Sequence, residues 1–109
     1  MQKIEKLTAA GFPYAVRNGV VIVDFFTRCS GNCFHQKRII ESMVDREKFP
    51  EAVRVTKIDV DEAPVIAAKF EVDAVPTLLV FQHGSEVCRL TGLIDEAELL
   101  NAIPKNQNK

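Results

Sequence analysis

Cys29, Cys33 and Cys88 are the three thiols of this chain, and the first two stand four residues apart. A C-x3-C pair suits either dithiol–disulfide chemistry or part of a metal site. The pair follows Val20–Val21–Ile22–Val23–Asp24–Phe25–Phe26, a β-branched and aromatic run broken by a single carboxylate. A run apolar on both faces reads as a central strand covered from both sides. Residues 27–32 are then the loop after that strand, and a helix is expected from about 31 to 47. A helix N-terminus carries partial positive charge and free N–H groups. A thiol held there has a lowered pKa, so more of it is the thiolate that attacks disulfides. A second thiol close by can release the mixed disulfide. Asp24 is expected to be buried in the strand, where the cost of ionisation raises its pKa. Cys29, Cys33 and His35 would give zinc three ligands, but no fourth is evident and no metal is expected. Cys88, in a late strand, reads as a structural or incidental thiol.

The elements that must position this loop follow from pattern. Residues 3–7 suit a short edge strand. Thr8 is placed to cap a helix running to about Val16, with Asn18–Gly19 as its stop signal. In the long helix Ile40, Met43, Val44 and Glu47 fall on one stripe beside Ile39, and Pro50 ends the segment. A strand is expected over 53–60. Asp61, Glu62 and Pro64 open a helix that ends near Phe70. A strand over 77–81 turns through His83–Gly84–Ser85 into another over 86–90. Asp95 caps the last helix, with Glu98 completing a capping box and Ile94 and Leu99 a hydrophobic staple. The order βαβαβαββα implies an α/β fold: a mixed sheet of four to five strands with helices on both faces. Sites in such sheets lie beyond the C-terminal ends of parallel strands, which is where the Cys29–Cys33 loop falls.

Composition excludes several classes. At 109 residues and 47% hydrophobic content the chain suits one domain, assigned to residues 1–104, with a polar tail at 105–109 expected to fray. Fourteen basic residues against fifteen acidic ones leave no surplus for phosphate contacts, so no nucleic-acid partner is expected. The same balance argues against a polybasic membrane surface, and no apolar run approaches the length of a spanning helix. The first residues lack the apolar core of a signal peptide, and the odd cysteine count does not suggest a secreted disulfide framework. A cytoplasmic location is expected.

From about Ile4 to Ile103 the chain resembles the thioredoxin family. Val23–Asp24–Phe25–Phe26 stands where the family has a Val-Asp-Phe-Trp strand, and Lys57–Ile58–Asp59–Val60–Asp61 is similar to its Lys-hydrophobic-x-hydrophobic-Asp strand. Val75–Pro76–Thr77 resembles the cis-proline loop, Phe81–Gln82–His83–Gly84 the turn before the last strand, and Gly92 the glycine before the final helix. The active-site motif departs from the family's Trp-Cys-Gly-Pro-Cys. Counted from Asp24 without gaps, Cys29 takes the Trp position, Ser30 the first Cys, Gly31 the Gly, Asn32 the Pro and Cys33 the second, resolving Cys. Phe26 replaces the family's other Trp.

The resemblance implies a thioredoxin fold and disulfide exchange without a bound cofactor. Its partners would be disulfide-containing protein substrates and a thioredoxin reductase, with the chain a monomer. Two readings of the site stand side by side. In one, Cys29 attacks and Cys33 resolves, with Asp24 and Lys57 handling the proton. In the other, the usual nucleophile is lost and the chain is a redox-inactive binding module; Cys33 is then a small buried hydrophobe and Asp24–Lys57 a structural pair. In either, Ser30, Gly31, Asn32, Val75, Pro76, Thr77 and Gly92 would form the docking surface.

Overall fold

The computed structural model describes residues 3–107. β1 (Glu5–Lys6), β2 (Val20–Phe26), β3 (Val53–Asp59), β4 (Thr77–Gln82) and β5 (Ser85–Thr91) form one sheet in the order β1-β3-β2-β4-β5. β1, β3 and β2 run parallel, while β4 is antiparallel to β2 and β5 to β4. The helices are α1 (Phe12–Ala15), α2 (Gly31–Asp45), α3 (Pro64–Lys69) and α4 (Glu96–Asn101). The mixed α/β fold expected from the order of elements is the one observed.

The two-residue period of the strands divides the core into two layers. Val20 and Ile22 of β2 join Val53, Val55, Leu78 and Val80 beneath Ile40, Met43 and Val44 of α2 and Leu99 of α4. Val21, Val23 and Phe25 point the other way, with Ile58, Leu79 and Phe81, against Phe12 of α1 and Ile66 of α3. On that side Phe70 and Phe81 meet edge to face with centroids 5.3 Å apart. Asp24 continues the series Val20, Ile22 and therefore falls on the α2 side of the sheet. Its register partners are Lys57 on β3 and Leu78 on β4.

Several local expectations are corrected. Thr8 does not cap a helix: its Oγ1 accepts from the Gly11 N–H (3.0 Å) and closes a preceding turn. Pro13 fits the first turn of α1, which is only Phe12–Ala15. The edge strand shrinks to Glu5–Lys6, the two residues that reach Thr56 and Lys57. Asp61 and Glu62 precede α3 instead of entering its first turn, and its N-cap is Ala63. Glu47 lies past the end of α2 at φ 54°, so the buried stripe stops at Val44. Asp95 and Glu98 do form the capping box, and Ile94 and Leu99 are both buried beside it. Asn106 of the tail is tied to β4, its carbonyl accepting from Gln82 Nε2 (2.6 Å), while Asn108 and Lys109 lie outside the described residues. No helix among the described residues is long and apolar enough to cross a membrane.

Candidate functional site

The loop between β2 and α2 is fastened at both ends. Thr27 donates its hydroxyl to Asp61 Oδ2 (2.5 Å), and Arg28 Nε lies 3.4 Å from Asp59 Oδ2. Asp59 is buried, and its other oxygen accepts from the Asp61 N–H (2.8 Å), which fixes the carboxylate at the end of β3. At the far end Ser30 has extended backbone, and its Oγ accepts from the Cys33 N–H (3.2 Å). This is a regular serine N-cap, worth about 1 kcal/mol. The residue in the family's nucleophile position therefore starts the helix.

The cysteines occupy different surroundings. Both are free thiols; Cys29 is exposed in the turn before α2, whereas Cys33, in its first turn, is only 4% exposed. Gly31 and Asn32 between them are exposed. A cavity of about 300 Å³ lies beneath the loop, with Asp24, Phe26, Ser30, Cys33 and Lys57 among its walls. Four of the residues singled out from sequence, Asp24, Ser30, Cys33 and Lys57, are thus brought together. Cys29 lies outside that cavity.

Asp24 is 5% exposed, and its Oδ1 has no hydrogen-bond partner. Burial pushes its pKa from 3.8 up to about 7, and the charge of Lys57 opposes this only in part. Lys57 does not close to ion-pair distance: its Nζ lies 5.9 Å from the Phe26 ring centroid, and the described ion pairs do not include it with Asp24. The two groups are neighbours by strand register, coupled through space.

A second structure flanks the β2 end. The Val75–Pro76 peptide is cis. Thr77 donates its hydroxyl to the Ala74 carbonyl (2.6 Å), and the Gly92 N–H donates to the Pro76 carbonyl (2.8 Å). Gly92 has φ 87°, a conformation suited to glycine. Thr77 is the register partner of Phe25, so this loop adjoins the end of β2.

Sequence reasoning missed Gln36. It is fully buried on α2, donates Nε2 to the Ile94 carbonyl (3.2 Å) and accepts the Ile94 N–H at Oε1 (2.9 Å). It ties the helix that carries Cys33 to the segment following Gly92. The available signal was its place three residues after Cys33 and four before Ile40, on the buried stripe. The links from Thr27 and Arg28 to Asp61 and Asp59 were also missed. His35 is exposed on α2, and no group of three or more potential metal-ligating side chains gathers among the described residues.

A mixed sheet with a thiol at the N-terminus of the helix after β2, a buried carboxyl beneath it and a cis-proline loop alongside defines a class of fold. The thioredoxin family model matches residues 3–105. The chain is 31% identical to thioredoxin of Chlamydia trachomatis serovar D over 104 residues, 95% of this chain and 99% of that one. It is 34% identical to thioredoxin of Staphylococcus saprophyticus over 103 residues, covering 94% and 97%. Mitochondrial thioredoxin 3 from Saccharomyces cerevisiae, in its oxidised form, superposes with a TM-score of 0.78 at 28% identity, covering 91% of this chain and 92% of that one. The chain belongs to the thioredoxin family. Family and fold together support thiol–disulfide oxidoreduction as its kind of function.

Proposed function

We propose that the chain exchanges disulfides with protein substrates through Cys29 and Cys33. The observation that carries this reading is the junction of Cys33, the α2 N-terminus and the buried Asp24 on one cavity. Cys29, exposed beside the Arg28 cation, attacks one sulfur of a substrate disulfide. A Cys29–substrate bond forms as the first substrate thiolate leaves and takes up, through solvent, the proton that Cys29 gave up. Cys33 then passes its proton to Asp24 and attacks the Cys29 sulfur. The second substrate thiolate leaves, takes up a proton, and the chain is left with a Cys29–Cys33 disulfide. Lys57 favours the ionised form of Asp24 and so assists the proton transfer. Electrons return from a reductase of the thioredoxin reductase kind, and the chain needs no cofactor of its own. The substrate's extended backbone lies along Val75, Pro76 and Thr77, with Ser30, Gly31, Asn32 and Gly92 completing the surface. A monomer in the reducing cytoplasm suits this chemistry.

The placement of Cys29 outside the cavity, with Ser30 serving as the helix cap, favours a second reading. In it the chain binds partners through the same surface without turnover. Reduction of insulin disulfides with dithiothreitol as donor separates the two. Turnover by the wild type that is lost in Cys29→Ser and in Cys33→Ser supports the exchange reading. A wild type no faster than dithiothreitol alone supports the binder.

A further inference from the structure

The cavity beneath the loop has features that a docked protein chain does not use. Lys6, Arg28, Lys37 and Lys57 line it, against one carboxyl, that of Asp24. Glu62 holds Lys6 (2.9 Å), Asp59 approaches Arg28 (3.4 Å), and Glu41 stands at 4.0 Å from Lys37. Even so, the wall presents cations from β1, the loop, α2 and β3. The first turn of α2 adds the positive end of a fifteen-residue helix. Asp24 supplies an independent sign of a ligand: the residue lines this space, and its buried Oδ1 has no hydrogen-bond partner in the protein. The space stands at the lower end of small-molecule sites, which run from about 300 to 1,000 Å³. Phe26 forms part of its wall where thioredoxins have a larger indole.

Cys33 also lines the cavity while being only 4% exposed. A disulfide carried on the rigid surface of a folded protein does not reach that sulfur, whereas a small molecule entering the cavity does. We propose that the cavity binds a low-molecular-weight acidic disulfide, a peptide-sized molecule bearing several carboxylates, and that Cys33 exchanges with it without Cys29. The Cys33 proton passes to Asp24, and the Cys33 sulfur attacks one sulfur of the ligand. The ligand's S–S bond breaks as the Cys33–ligand bond forms. The departing thiolate takes the proton, so one thiol and one disulfide give one thiol and one mixed disulfide. This rests on the reading that Cys33 is a reactive thiol, but not on cycling with Cys29.

The test uses a Cys29→Ser/Cys88→Ser variant, in which Cys33 is the sole thiol, with its fold checked by circular dichroism. It is incubated in separate arms with glutathione disulfide (acidic), hydroxyethyl disulfide (neutral) and cystamine (cationic), and adducts are followed by intact mass. The expected result is an adduct on Cys33 that forms about tenfold faster with glutathione disulfide than with cystamine at low salt. Adding Lys6→Gln and Lys37→Gln, or raising the salt, should shrink that ratio. Equal rates, a faster cationic reagent, or no adduct on Cys33 would overturn the proposal. Insulin turnover by the wild type keeps the two readings apart. Turnover without the acidic preference sinks this proposal alone, and the acidic preference without turnover sinks the Cys29–Cys33 cycle alone.

Discussion

At Asp24 burial and a neighbouring charge act in opposite directions, and burial wins. The native carboxyl titrates near 7, against 3.8 for an ordinary aspartate. Between those values the native state holds a proton that the unfolded chain has lost. The Asp24 contribution to stability is therefore fully present below pH 4 and is lost as pH rises through 7. At about 1.36 kcal/mol per pH unit the fall is on the order of 4 kcal/mol. Asp24→Asn should accordingly match the wild type at pH 4 and exceed it by about 2–4 kcal/mol at pH 8. Urea denaturation at both pH values checks this, and a constant difference would contradict it. Ser30 gives a second residue-scale expectation. Ser30→Cys places a thiol at the helix N-cap, three residues before Cys33, and should raise insulin reduction on the order of tenfold, measured with dithiothreitol as donor. Asp24 was legible because a lone carboxylate in an apolar run has few explanations. Gln36 was not, because its partner is the backbone of Ile94, fifty-eight positions away.

The helix ends carry the next set of consequences. Past α2, Lys48 N–H bonds to the Met43 carbonyl (2.8 Å) and Glu47 N–H to that of Val44 (3.0 Å), a Schellman closure. The residue in the left-handed position is Glu47, where glycine has no steric cost. Glu47→Gly should stabilise the chain by about 0.5–1 kcal/mol, read as a rise in the urea midpoint with unchanged slope. Gln36 acts between elements. Gln36→Leu removes both bonds that join α2 to Ile94 and leaves a buried N–H and a carbonyl unpaired, a loss of about 2–4 kcal/mol in the same assay. Element types and the Asp95 capping box were readable, since periodicity and cap chemistry are local signals. The boundaries of α1 and β1 were not. Thr8 has cap chemistry, yet the chain uses it in a turn, and β1 pairs with β3 over only two residues.

For the whole molecule, alternation of strands and helices with one late hairpin was enough to indicate a mixed sheet with the cysteine loop at the C-terminal end of β2. What alternation does not encode is how a loop lies on its scaffold. Thr27 is held by Asp61 in the turn after β3 and Arg28 by Asp59 at the end of β3, and Cys29 lies outside the cavity that contains Cys33. The proposed exchange makes these two thiols one redox couple nevertheless, which requires the fastened loop to bring Cys29 to Cys33. The most direct measurement equilibrates the protein in buffers of graded redox potential, quenches the thiols by alkylation and maps the peptides by mass spectrometry. A single two-electron transition is expected, in which an intramolecular Cys29–Cys33 bridge appears while Cys88 stays alkylated. Oxidation that leaves Cys29 and Cys33 unbridged across the whole range would contradict it.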